Sequence, residues 1–253
     1  MAKKKRGSEK SQRKLLMVGP DAPFQYVEAY KSLRTNLEFL SASTGCKVIL
    51  ITSSVQEEGK SNVAINLAST MASGGKRVVL VDSDLRKGSL SRYLHLSHNR
   101  PGISNIVAGQ ATLNDALIRF KNVQFTLLPV GPLPPNPSEM LSLPAVEQMF
   151  DTLREYYDYI IVDTPPVSVV TDAAVMCRMV DGVVLVVRSG VTTIQGAQLS
   201  KKKLEAVGAR ILGVVLNDYD ARRIGRRDGY SYAYSYNYYA GDDQSEDKKA
   251  TLS

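Results

Sequence analysis

Cysteine is almost missing from this chain of 253 residues: only Cys46 and Cys177 occur, and they form no CxxC pair. A disulfide-framed secreted domain is thereby excluded, and a reducing, cytoplasmic compartment is expected. No uninterrupted apolar stretch approaches the ~20 residues of a membrane-spanning helix. The basic start, MAKKKRGSEKSQRK, leads into no apolar core of a signal peptide, so no secretion signal is read there. Beyond Asp218 the periodicity of packed elements is also missing. Arg, Gly, Ser, Tyr, Asp and Lys dominate that stretch, a composition too poor in aliphatic residues to build a core alone.

What remains is ordinary globular material, 43% hydrophobic and 23% charged, enough for one domain with extensions. The net charge of +7 is unevenly placed. Lys3, Lys4, Lys5, Arg6, Lys10, Arg13 and Lys14 crowd the start, and Arg222, Arg223, Arg226 and Arg227 stand near the end. Two solvated arms are the plain reading; attraction to anionic lipid head groups or an acidic partner is the sharper one. No nucleic-acid-binding motif accompanies the charge, so nucleic acid is not expected as a partner.

Between the arms, short apolar runs alternate with helical patterns. KVILITS (47–53), RVVLVDS (77–83), QFTLLPV (124–130), YIIVDT (159–164), GVVLVVR (182–188) and RILGVVLN (210–217) read as strands. Their runs are nearly continuous, as in strands covered on both faces. From Ser61 to Ser73 a helix stripe carries Val63, Ala64, Leu67, Ala68 and Met71, and Gly74 and Gly75 end it. Further helices fit Glu139–Tyr156, Asp172–Met179 and Thr193–Val207. Ahead of the first strand, Tyr26–Leu40 has Val27, Tyr30, Leu33, Leu37 and Leu40 at helical spacing, with Glu28, Lys31 and Arg34 on its other side. The expected fold is α/β: a doubly wound, mostly parallel sheet flanked by helices.

The chemistry concentrates at strand ends. SSVQEEGKS (53–61) joins the first strand to the first helix and contains the second half of a phosphate loop, xGK[ST], at Glu58–Ser61. Backbone N–H groups of Glu57, Glu58, Gly59 and Asn62, at and before the helix start, suit phosphate oxygens. Lys60 would reach the β- and γ-phosphates and Ser61 would hold Mg²⁺. The loop departs from GxxxxGK[ST] at its first glycine, which is Ser54 here. VVLVDSDLR (78–86) ends a strand with Asp82, Asp84 and Arg86, and YDYIIVDTPP (157–166) ends another with Asp163. A carboxylate at one strand end is enough to begin a turn; three of them together with a lysine and a serine imply a Mg-nucleotide site. ATP is the expected nucleotide.

With these motifs in view, the chain resembles a bacterial tyrosine kinase of the capsule and exopolysaccharide type, whose kinase unit is a P-loop protein. The resemblance runs from about Phe24 to Asp218 through EAYKSLRTNL (28–37), EEGKS (57–61), VDSDLR (81–86), GPLPPNPSEML (131–141), VDTPP (162–166) and TDAAVMCRMVDGVVLVV (171–187). It implies that Asp82 binds Mg²⁺ and accepts the tyrosine proton with Asp84 in support, though which of the two is the base stays open, and that Asp163 is the other acidic metal residue. It gives Asn217 a place near the adenine. GYSYAYSYNYY (229–239) becomes substrate, with Tyr230, Tyr232, Tyr234, Tyr236, Tyr238 and Tyr239 as phosphoacceptors; a terminal strand is the competing reading, since the stretch alternates with period two. Glu28, Lys31 and Arg34 match a ring-forming E-x2-R-x2-R motif in which Lys31 replaces an arginine and gives up its bidentate fork.

The resemblance also implies a division into a basic arm (1–25), an oligomerisation helix (26–42), a kinase domain (43–218) and a tyrosine-rich tail (219–253). It implies a membrane adaptor as activator, a ring of identical subunits, a protein tyrosine phosphatase, external protein substrates, and a place at the inner face of the membrane. The rival is a partitioning or division-site ATPase without kinase activity. That class carries an extra lysine early in its phosphate loop, and Ser53–Gly59 contains none.

Overall fold

Each apolar run becomes a strand because its residues face two cores at once. In β1 (Val48–Ser53) every residue is buried: Val48 and Leu50 enter one cluster, Ile49 and Ile51 the other. The same alternation divides Val79 and Val81 from Leu80, and Ile160 and Val162 from Ile161. A strand hidden on both faces has no polar side to show, which is why the runs are continuous. Each such side chain contributes about 1.5–3 kcal/mol on full burial.

The computed structural model describes residues 16–97 and 100–219. The six tail tyrosines, the four arginines before them and the first fifteen residues of the basic arm lie outside the described residues. The chain opens with α1 (Phe24–Thr44), then β1, α2 (Lys60–Ser73), β2 (Val78–Asp82), α3 (Ser89–Tyr93), α4 (Ile103–Val107), α5 (Leu113–Ala116), β3 (Ile118–Arg119) and β4 (Thr126–Leu128). It continues with α6 (Pro137–Leu141), α7 (Pro144–Tyr156), β5 (Tyr159–Asp163), α8 (Asp172–Met176), β6 (Gly182–Arg188), α9 (Ile194–Ala206) and β7 (Ile211–Asn217). The strands form one sheet in the order β3-β4-β2-β5-β1-β6-β7. All neighbours run parallel except β3 and β4. Helices α1 and α2 cover one face through Leu37, Val63, Leu67 and Met71. Helices α7, α8 and α9 cover the other through Met149, Phe150, Leu153, Met176 and Leu204. The mostly parallel sheet flanked by helices stands as read. Among the described residues no helix is long and apolar enough to cross a membrane.

Two expected elements are corrected. The single helix over Glu139–Tyr156 is two helices, α6 and α7, with Leu143 extended between them at φ −73°, ψ 144°. Pro144 is the cause: its ring drives the preceding residue out of the helical region and suits the first helical position. The strand expected at 124–130 shortens to Thr126–Leu128, and the two-residue β3 pairs with it at the sheet edge.

Candidate active site at the strand ends

The sheet order brings β1, β5 and β2 side by side, so their C-terminal ends share one crevice. Asp82 and Asp163 are register partners at the last positions of β2 and β5, and the Ser83 N–H donates to the Asp163 carbonyl at 2.8 Å. The loop after β1 ends at Gly59, which caps α2 at φ +89°. A Cβ built there would lie 2.0 Å from Asn217 Nδ2, so both backbone and space demand glycine. No side chain caps α2. Its first N–H groups are therefore left to a ligand, in the orientation that favours anions.

The two loop glutamates do different work from each other. Glu57 is exposed and takes φ +65°; its carbonyl accepts Arg188 Nη1 at 3.2 Å. Glu58 is fully buried. Its carboxylate accepts the Val55 N–H at 2.8 Å and the Thr192 hydroxyl, and its carbonyl accepts Asn217 Nδ2 at 2.8 Å. The Glu58 side chain is thus a brace for the loop, and what it can offer a nucleotide is its backbone N–H. Thr192 and Arg188 were missed in the sequence; they stand more than 130 positions from the loop, beyond the reach of any local signal.

Lys60 Nζ stands 3.2 Å from Ser61 Oγ, 3.4 Å from Asp163 Oδ1 and 3.5 Å from Asp84 Oδ2. Burial pulls its pKa down, but the carboxylates of Asp163, Asp84 and Asp82 outweigh that and hold it above the ordinary lysine value. Asp82 is pushed well above the carboxylate range, first by burial and then by Asp163, with Lys60 opposing. Asp163 is raised by burial, against the pull of Lys60 and the Ser61 hydroxyl. Asp82 is held at both oxygens: Oδ1 accepts the Asp84 N–H at 3.2 Å and Oδ2 the Leu90 N–H at 3.1 Å.

Three buried atoms here have no partner: Asp163 Oδ2, Ser54 Oγ and Ser83 Oγ. A buried carboxylate oxygen left unpaired is costly, and a hard cation with phosphate and water ligands would satisfy it. Among the described residues no three His, Cys, Asp or Glu side chains cage a metal by themselves. Mg²⁺ does not require this, since it draws much of its octahedral shell from water and phosphate. The donor set fits Mg-ATP.

Asn62 and the helix α1 triad sit apart from the crevice. Asn62 Oδ1 accepts from Tyr26 OH (2.9 Å), Tyr30 OH (3.2 Å) and Asn66 Nδ2 (2.9 Å), so its side chain ties α2 to α1. Glu28 and Lys31 form an exposed pair at 2.7 Å. Arg34 does not share their solvent face as the spacing suggested. It is half-buried and donates Nη1 to the Thr70 carbonyl at 3.1 Å, a carbonyl that also accepts the Gly74 N–H, at the negative, C-terminal end of α2 that favours a cation. A cavity of about 590 Å³ lined by Phe39, Cys46, Lys47 and Tyr159 lies at the opposite end of the sheet and takes no part in the site.

Sheet, loop and carboxylates together define a P-loop nucleotide-binding protein, and the family pattern described as AAA domain matches residues 46–212. The chain is 37% identical over 210 residues to the tyrosine-protein kinase etk of Escherichia coli K12, covering 83% of this chain but 28% of that protein. It is 33% identical over 230 residues to the tyrosine-protein kinase YwqD of Bacillus subtilis, covering 91% of this chain and 94% of that one. The solved chimerical protein CapA2B2 superimposes with a TM-score of 0.73 at 36% identity, over 79% of this chain and 86% of the other. The chain belongs to the bacterial tyrosine-protein kinase family. The septum site-determining protein MinD with Mg-ADP from Pyrococcus horikoshii matches at 24% identity and a TM-score of 0.58, a likeness of fold alone.

Proposed function

We propose that the chain is an ATP-dependent protein-tyrosine kinase whose own tyrosines, Tyr230, Tyr232, Tyr234, Tyr236, Tyr238 and Tyr239, are acceptors. The observation that carries this is Lys60, nearly buried among Asp163, Asp84 and Asp82 directly after the glycine that opens α2. The backbone N–H groups of Glu57, Glu58, Gly59 and Asn62 receive phosphate oxygens, Lys60 adds its charge to the β- and γ-phosphates, and Asn217 borders the adenine. Ser61, Asp82 and Asp163 would hold Mg²⁺, which when bound supplies charge neutralisation on the phosphates. An unperturbed tyrosine hydroxyl, pKa about 10, needs a proton acceptor. Asp82 suits this task because burial raises its basicity toward the working range, and its two backbone donors fix its direction. Asp84 supports it by sharing Lys60.

The wider setting belongs to the same proposal. Subunits assemble into a ring through Glu28, Lys31 and Arg34, so that transfer runs between neighbours. A membrane adaptor activates the kinase at the inner face of the membrane, a tyrosine phosphatase resets it, and external proteins serve as further substrates in capsule or exopolysaccharide synthesis. The test is incubation of purified protein with γ-labelled ATP and Mg²⁺, followed by phosphoamino-acid analysis. Phosphotyrosine is expected from the unaltered chain. Lys60→Met should lose a transition-state contact worth about 2–4 kcal/mol, a fall of roughly 30- to 10³-fold. ATP hydrolysis with no phosphotyrosine would overturn the proposal in favour of a positioning-type ATPase.

A further inference from the structure

Two distinctive stretches of the sequence, GPLPPNPSEML and TDAAV, have no part in the site as built so far. In space both reach the turn that follows β2. Asp172 is fully buried. Its carboxylate accepts Arg86 Nε and Nη2, both at 2.8 Å, and Ser138 Oγ at 2.5 Å. Ser138 Oγ also accepts Arg86 Nη2 at 3.1 Å and lies 3.2 Å from Thr171 Oγ1. Arg86 is two residues beyond Asp84, and the turn between them is closed on Asp84 itself. The Asp84 carbonyl accepts the N–H groups of Lys87 (3.1 Å) and Gly88 (2.8 Å), and its Oδ1 accepts the Lys87 N–H at 3.2 Å. Asp84 Oδ2 is the oxygen that faces Lys60. One continuous path therefore runs from Asp172 through Arg86 and a closed turn to the carboxylate beside the phosphate-loop lysine.

A bidentate guanidinium–carboxylate pair fixes direction as well as distance. The turn is also held at Leu90, whose N–H reaches Asp82, and at Lys87 Nζ, which reaches Gln56 at 3.0 Å; the Arg86–Asp172 pair is the contact that ties it to the other side of the crevice. We propose that Asp172 is a positioning residue: through Arg86, and with Ser138 orienting its carboxylate, it holds the 84–88 turn so that Asp84 stays against Lys60. This gives the NPSE and TDAA stretches one joint task, although they lie more than 30 residues apart in sequence. The activity part rests on the kinase reading; the tether itself does not.

The test compares the unaltered chain with Asp172→Asn, Ser138→Ala and Arg86→Lys, the last keeping the charge without the fork. Two readouts are taken: amide hydrogen exchange at Lys87 and Gly88, and the rate of phosphotyrosine formation against Mg-ATP concentration. Asp172→Asn should speed exchange at those two amides and leave β1 and β5 unchanged. It should also lower kcat by about 10- to 100-fold, the usual scale for removing an orienting partner, with little change in KM for Mg-ATP. Arg86→Lys should fall between, and Ser138→Ala should show the mildest loss. Unchanged exchange and kcat in a folded Asp172→Asn protein overturn the proposal, as does a rise in KM with kcat intact. If Asp172→Asn does not fold, Arg86→Lys decides alone, since it leaves Asp172 facing a cation: full kcat and unchanged exchange refute the tether. If the unaltered chain makes no phosphotyrosine, the kinase reading fails while the exchange result still decides the tether.

Discussion

Lys60 sits where burial and neighbouring charge pull in opposite directions, and charge wins. Its pKa is raised, so its contribution to stability is present below the unfolded value of 10.5 and is lost only as pH climbs through the higher folded one. Asp82 and Asp163 are raised as well. From 3.8 up to their folded values the native state holds more protons than the unfolded chain, and stability falls as pH rises through that window. Removing the lysine takes away the one cation opposing both shifts and widens the window. Lys60→Met should therefore cost about 3–5 kcal/mol at pH 8, the scale for breaking a buried pair, and clearly less at pH 5, where the carboxylates protonate more readily. Urea unfolding at the two pH values checks this; equal losses would contradict it. The residue types of this site and their strand-end positions were legible in the sequence. The inward turn of Glu58 was not, because a loop with positive φ at Glu57 and Gly59 has no periodicity from which to read a side chain's direction.

At the scale of elements, the strands were readable because burial on both faces leaves an unbroken apolar run, and α2 because one stripe meets the sheet. The split of α6 from α7 was written in Pro144 and hidden by a helical pattern that continues across it. The one-turn helices α3, α4 and α5 and the two-residue β3 are too short to show a period. The spacing of the three α1 charges suggests one face, yet the carbonyl end of α2 claims Arg34. Arg34→Ala should then destabilise the monomer by about 1 kcal/mol through the lost contact at the end of α2. Glu28→Ala with Lys31→Ala should leave monomer stability within about 0.5 kcal/mol, as exposed pairs do. Thermal unfolding of dilute protein separates the two; equal effects would return Arg34 to the solvent face.

For the whole molecule, the sheet places its last described strand at the site. Asn217 ends β7 with its amide on the Glu58 carbonyl, so the chain leaves the described fold beside the phosphate loop. The twelve or so residues from there to Tyr230 can extend about 40 Å, a span that reaches the chain's own crevice or a neighbour's. Each phosphorylated tyrosine adds about −1.5 to −2 charges at pH 7, beside four arginines. The measurement closest to the central claim is intact-mass spectrometry after incubation with Mg-ATP, on the unaltered chain and on a variant with all six tyrosines changed to Phe. The unaltered chain should gain up to six phosphoryl groups and the Phe variant none. Equal gains in both proteins, or ATP consumed with no gain in either, would contradict a kinase that modifies its own tail.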